Sequence, residues 1–296
     1  MTTLDLRGLP AGLRLGTSSF SNPDWRGRFY PESLPPEQFL GHYAKLLDTV
    51  EIDATWHAIP SRRTVEAWRD RVPHGFTFAV KAPKSITHDR YLQDCAEDWS
   101  RFLALMDLLG EKRGPVLFQF QYVARGRDAD EYRTGLDFRR RLDHFLPMLP
   151  DGVRFVVEVR NRAWITESFL DVLRRRGIAL AFTAYQTMPD AAELLAGPDP
   201  VTADFGYVRF LGNHTAMDNR VAKAREAGER DRDWGELILD KTEEMRGWMA
   251  PVRALLARVP EVFVYFNNHY AGYGPGSLEL FVRLWREEET RLAERK

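Results

Sequence analysis

Read for apolar and polar positions, the chain divides into short apolar runs separated by longer stretches with helical spacing. Eight runs carry the β-branched and aromatic residues that suit buried strands: "LRLGTSS" (13–19), "TVEIDATW" (49–56), "FTFAVKA" (76–82), "PVLFQF" (115–120), "FVVEVR" (155–160), "IALAFTAY" (178–185), "YVRFLG" (207–212) and "VFVYFNN" (262–268). Between them lie helical candidates such as "PPEQFLGHYAKLLD", "SRRTVEAWRDRV", "AEDWSRFLALMDLLG", "FRRRLDHFLPML" and "TESFLDVLRRRG", the last closing on basic residues and a glycine. Strand and helix alternating eight times is the pattern of a parallel sheet covered by helices. The expected fold is α/β: a single (β/α)8 TIM-like barrel over residues 1–296, with room for irregular or incomplete closure. A doubly wound open sheet is the competitor, but no G-x-G-x-x-G follows the first strand.

The same alternation sorts polar side chains. Along a strand, successive side chains face opposite sides, so Glu51, Asp53 and Thr55 share one face of the second strand while Val50, Ile52 and Ala54 share the other. By the same count Lys81, Gln119, Glu158, Arg160, Arg209, Ser18 and Asn267 reach the interior face near the carboxyl ends of their strands. Seven of eight strands then carry an inward polar residue where barrel enzymes build their sites; the sixth, with Thr183 and Tyr185, is the weakest. A self-neutralising polar plug is the alternative, but stability does not call for so many buried charges. Three of the four longest loops follow directly on strand ends and the fourth starts one residue later; the last, "NHTAMDNRVAKAREAGERDR", reads as a charged, solvated helix or as a lid.

Composition narrows the function classes. The net charge is -1, with 42 basic and 43 acidic residues, so no global field attracts a polyanion and anion binding has to be local. The single cysteine, Cys95, forms no internal disulfide and stands in an acidic setting unsuited to a nucleophile. No apolar run approaches the ~18 residues of a membrane helix, and no secretory h-region is evident. A cytoplasmic location without membrane association is expected.

Lys81, Arg160 and Arg209 suit a phosphate or carboxylate; Glu51, Asp53 and Glu158 are candidate acids or bases; Gln119, Asn267 and Asn268 can orient hydroxyls, with Asn268 better placed to cap the turn. Trp25, Tyr30, Trp56 and Trp164 stand where a sugar or base would stack, although loop packing explains most such aromatics. His57, His88, His214 and His269 each follow a different strand. None belongs to a tight ligand motif, so a divalent metal has little support and the cofactor stays open.

"GTSSFSNPDWRGRFYP", "VEIDATWHAIPSRRTVEAWRDRVP", "FTFAVKAPKSITHD", "GPVLFQF", "VVEVRNRAW", "YVRFLGN" and "VYFNNHYAG" resemble, in order, the signatures of the YecE-like family, a domain-of-unknown-function family. The resemblance runs from about Leu15 to Phe281 and implies a TIM-like barrel; it brings no established activity. It maps family motif positions onto Glu51, Thr55, Lys81, Thr87, His88, Gln119, Glu158, Arg160, Trp164, Arg209, Gly212, Asn267 and Asn268. Departures fall at Asp53, His57, Leu211 and His269, marking a divergent branch.

Together these readings give an expected enzyme of the hydrolase or lyase type acting on a small anionic or sugar-like ligand. Its catalytic candidates are Glu51, Glu158 and Lys81; its substrate-binding candidates are Ser18, Trp25, Asp53, Thr55, His88, Gln119, Arg160, Trp164, Arg209, Asn267 and Asn268. The alternative is a nucleic-acid-binding or metal-dependent phosphodiester-processing protein, resting on "RNR" (160–162) and "KAR" (223–225), with nucleic acid the weaker partner. A non-catalytic ligand-binding protein is the third reading.

Overall fold

A computed structural model describes residues 4–124, 134–226, 228 and 234–294, apart from the side chains at 221, 224 and 225. Eight strands form one parallel sheet: β1 (Leu13–Thr17), β2 (Thr49–Ile52), β3 (Thr77–Lys81), β4 (Arg113–Gln119), β5 (Phe155–Glu158), β6 (Ala179–Ala184), β7 (Phe205–Phe210) and β8 (Glu261–Phe266). Their order is β1-β8-β7-β6-β5-β4-β3-β2, a barrel closed everywhere except between β1 and β2.

That seam is held by a side chain. Tyr43 stands at the end of the short helix α1 (Phe39–Tyr43), fully buried. Its hydroxyl accepts the Thr17 amide N–H at 2.9 Å and donates to the Thr49 carbonyl at 3.0 Å, joining the two strands where the ladder is missing. The backbones there are too close for side chains, since a Cβ on Gly16 would lie 2.4 Å from the Thr49 carbonyl oxygen.

The helices start where the sequence supplies capping oxygens. Ser61, Thr134, Thr166 and Asp190 each accept a backbone N–H three residues on, opening α3 (Arg62–Asp70), α5 (Gly135–Phe145), α6 (Glu167–Arg175) and α7 (Ala191–Ala196). The other helices are α2 (Ala54–His57), α4 (Ala96–Met106), α8 (His214–Glu226), α9 (Thr242–Arg246), α10 (Met249–Leu256), α11 (Asn268–Ala271) and α12 (Gly274–Glu294). The run "PPEQFLGHYAKLLD" forms less helix than its pattern predicts. Its prolines favour a 3-10 turn at Pro36–Gln38, and only Phe39–Tyr43 is α-helical. The charged stretch after β7 is helical from His214 to Glu226, and part of the loop after β4 (125–133) lies outside the described residues.

Strand alternation separates two apolar clusters. Val50, Ile52, Phe78, Val80, Val116, Phe118 and Val157 pack outward with the helices in the main core. Ala79, Leu117, Val156, Ala181, Phe205, Tyr207, Phe263 and Tyr265, on the opposite faces, fill the barrel interior. Interior residues on β2 to β5, β7 and β8 carry the same phase toward the carboxyl ends, which places Glu51, Lys81, Gln119, Glu158, Arg209 and Asn267 above this apolar plug.

Among the described residues, no helix is long and apolar enough to cross a membrane.

Candidate functional site

Arg209 is the hub of the polar layer. It is 1% exposed, and Glu51 and Glu158, contributed by β2 and β5, have no exposed surface. Its Nε and Nη2 donate to Glu51 Oε2 and Oε1 at 2.8 and 2.6 Å, a bidentate pair, and its Nη1 donates to Glu158 Oε2. Tyr207, two residues before Arg209 on the same face of β7, donates its hydroxyl to Glu51 Oε2 at 2.7 Å. Arg160 Nε donates to the remaining Glu158 oxygen at 2.9 Å. Every carboxylate oxygen of the two glutamates therefore holds a donor.

The two carboxyls are driven apart. Burial pushes the Glu51 carboxyl above the ordinary carboxylate range; Arg209 offsets this only in part and the Asp53 charge adds to it. Burial acts on Glu158 in the same sense, but the Arg209 and Arg160 guanidiniums outweigh it and hold the carboxyl at about 2.

The solvent side of the layer is formed by Lys81, Asp53 and Arg160, whose side chains are 11%, 28% and 12% exposed. Lys81 Nζ lies 3.7 Å from Asp53 Oδ1 and 4.9 Å from the Trp56 ring centre, and makes no hydrogen bond among the described residues. Burial, reinforced by Arg209 and opposed by Asp53, lowers its pKa. Arg209 Nη2 also reaches Asp53 Oδ1 at 3.5 Å, which ties this outer layer to the buried one. The Arg160 guanidinium stacks 4.1 Å over the Tyr185 ring. Thr55 sets the spacing between β2 and β3, its hydroxyl donating to the Lys81 carbonyl at 2.6 Å. His88 Nδ1 faces Trp56 Nε1 at 3.3 Å and the Thr87 hydroxyl at 2.8 Å. Burial, with Lys81 and Arg160 nearby, lowers the His88 pKa to about 4, so the ring is neutral at pH 7.

Beside Asp53 opens a cavity of about 380 Å³ lined by Ser18, Trp25, Asp218, Trp234, Asn267 and His269 among others. The Ser18 hydroxyl and the Trp25 indole N–H are buried and have no hydrogen-bond partner among the described residues. Asn267 caps α11, its Oδ1 accepting the His269 backbone N–H at 2.9 Å, and Asn268 Oδ1 accepts the Gly274 N–H at 2.8 Å. Asp218 Oδ1 lies 2.9 Å from His269 Nε2, and His214 stacks on His269 at 4.2 Å.

Of the expected site residues, Glu51 and Glu158 are fully buried and occupied by their donors, Thr55 is buried on the Ile52 and Lys81 carbonyls, and Trp164 and Gln119 lie elsewhere or turn away. Trp164 stacks on Phe138 at 4.9 Å and lines a separate cavity with Asn161 and Arg139, away from the charged layer. Gln119 is buried, and its amide donates to the Phe120 carbonyl at 2.7 Å instead of being held for a ligand. In the basic "RNR" group, Arg162 pairs with Glu193, and Arg160 pairs with Glu158 through Nε. In "KAR", the side chains at 224 and 225 lie outside those described. The histidines fall into two groups, His57 with His88 around Trp56 and His214 with His269. Among the described residues, no three His, Cys, Asp or Glu side chains are arranged to hold a metal ion. Sequence reasoning missed Tyr207, although it shares the phase of Arg209, and it missed Asp218 on α8 and Trp234, neither of which the strand alternation reaches.

The molecule is thus a TIM-type (β/α)8 barrel with a closed charge network capped by an open cationic and acidic rim. Its family follows from comparison with known proteins: the family model described as "Protein of unknown function DUF72" matches residues 14–296, and the chain belongs to that family. The UPF0759 protein YecE of Escherichia coli K12 is 27% identical over 139 residues, so the match spans about half of each protein (47%). The UPF0759 protein YunF of Bacillus subtilis 168 is 24% identical over 278 residues, 90% of this chain and 93% of that protein. A DUF72 family structure from Thermotoga maritima MSB8 superposes with a TM-score of 0.68 at 28% identity, covering 93% of this chain and 99% of that one. Another from Enterococcus faecalis V583 has a TM-score of 0.63 at 21% identity, with 93% and 97% covered, and bears on the fold alone.

Proposed function

We propose that this protein is an enzyme of the hydrolase or lyase type that takes a small anionic or sugar-like substrate at the carboxyl face of the barrel. The observation that carries the reading is the unequal satisfaction of its charges. Both oxygens of Glu51 and of Glu158 are occupied, whereas the Lys81 amine, on the solvent side of the layer, makes no hydrogen bond among the described residues and only a 3.7 Å ion pair with Asp53. A plug serving stability alone would pair its amine as fully as it pairs its carboxylates, whereas Lys81 keeps donors available toward the rim.

In this reading Arg160 and Lys81 hold the anionic group, and Lys81 and Asp53 exchange protons with the substrate. The Ser18, Trp25 and Asn267 cavity receives the hydroxyl-bearing remainder, while neutral His88 stands against Trp56 on the Lys81 side of the rim. Glu51 and Glu158 act through Arg209 and Arg160 as positioning residues. The test is a turnover screen over carboxylated and phosphorylated sugars. Lys81→Met should lower turnover by about a hundredfold or more while unfolding remains cooperative; an unchanged rate refutes the assignment.

A further inference from the structure

Lys81 is the only lysine buried among the described residues, and its surroundings suit more than charge pairing. It ends β3 with its stem enclosed and its Nζ beside the face of Trp56, which shields one side from water. Two guanidiniums, those of Arg209 and Arg160, belong to the same cluster, and a desolvated amine near other cations is an activated nucleophile once uncharged. A carboxylate that can relay a proton stands 3.7 Å away at Asp53, and the same Asp53 borders the cavity of about 380 Å³.

We propose that Lys81 forms a covalent imine with a substrate that carries a carbonyl group together with an anionic or hydroxylated remainder; this rests on the enzymatic reading above. The Lys81 ammonium first passes one proton to Asp53. The Nζ lone pair then adds to the carbonyl carbon, forming the C–N bond, while the carbonyl π electrons move to oxygen, which takes that proton from Asp53. Nζ gives up a second proton to Asp53. Asp53 returns it to the new hydroxyl, which leaves as water as the C=N bond forms. One water is released and nothing is oxidised or reduced. The protonated imine then withdraws electrons from the adjacent bond, which is the step a lyase needs. Arg160 holds the anionic end, and the cavity takes the remainder.

The test uses the full chain with pyruvate and, separately, dihydroxyacetone, each reduced in place with sodium cyanoborohydride and analysed by intact mass and peptide mapping. The expected result is one adduct per chain at Lys81, favoured about tenfold or more over the exposed Lys45 and Lys84, as an activated amine should be. Lys81→Arg, which keeps the charge, should give none, and Asp53→Asn should slow trapping. Adducts spread over Lys45 and Lys84 with Lys81 unmodified overturn the proposal, and the wild-type map reads this whether or not a variant folds. Calorimetry with lactate, which lacks the carbonyl, separates the two claims. Arg160-dependent lactate binding with no trapped imine overturns the imine and leaves the anion site standing. Loss of both overturns both.

Discussion

Replacing Arg209 by methionine removes the guanidinium that joins the two buried glutamates while keeping a long side chain. Glu51 would be left with the Tyr207 hydroxyl and Glu158 with Arg160, both carboxyls without exposed surface. Stripping the partner from a buried ion pair costs about 3–5 kcal/mol. The direction of the Glu158 shift agrees: against the burial that raises it, Arg209 is the largest of the influences that hold this carboxyl at about 2 instead of an ordinary 4.5. The sign follows from the direction. A depressed carboxyl stabilises the fold fully above its unfolded value near 4.5 and loses that contribution as pH falls toward 2. Glu51, whose pKa is raised, works the other way: it costs stability above its unfolded value, and more so once Arg209 is gone. Both effects shrink the deficit of the variant in acid. Urea unfolding followed by tryptophan fluorescence should show the variant about 3–5 kcal/mol less stable at pH 7, with a clearly smaller gap near pH 3.5. A gap below about 1 kcal/mol at pH 7, or one that does not change with pH, refutes the reasoning.

Three further outcomes follow from the geometry. Tyr43→Phe deletes the hydroxyl that bridges the β1–β2 seam and strands two buried backbone groups, so it should cost about 2–3 kcal/mol in the same unfolding assay; a loss below about 0.5 kcal/mol would mean the seam does not need it. Gly212 has φ +68, and a Cβ there would lie 2.4 Å from the His269 carbonyl oxygen. Gly212→Ala should therefore lower stability by about 2 kcal/mol or more and disturb α11, and an unaltered Tm would show the site is not constrained. Glu158→Gln leaves both arginines short of a counter-charge; with the fold retained, it should abolish turnover, and an unchanged rate would remove Glu158 from the machinery.

The apolar runs made the strands legible, and the alternation of faces along each strand made most of the charged layer legible, because the polar residues near the carboxyl ends share the phase of the interior. Glu51, Lys81, Glu158 and Arg209 were found this way and do converge. The pattern carried no information on the β1–β2 gap, which depends on how strands close, nor on Tyr43, which reaches the seam from a helix. Trp164 shows the limit of reading aromatics by position. Its place after a strand end matches that of a stacking residue, yet Phe138 on α5 covers its ring. Tyr207 was visible in principle: it shares the face of Arg209, but a tyrosine in a strand signals packing as readily as hydrogen bonding. Asp218 reaches the cavity from α8 and Trp234 from beyond it, and neither position carries a strand-period signal.

The central claim is that the rim formed by Lys81, Asp53 and Arg160 receives an anionic ligand. Indole N–H signals report on it, since the Trp56 indole donates to His88 beside Lys81, while Trp99 and Trp285 donate to Met148 and Glu289. In a ¹H–¹⁵N spectrum assigned with Trp56→Phe, titration with ribose 5-phosphate should shift the Trp56 signal saturably and leave those of Trp99 and Trp285 in place. The shift should vanish in Arg160→Gln. A Trp56 signal that stays fixed, or one that still moves in Arg160→Gln, contradicts the account.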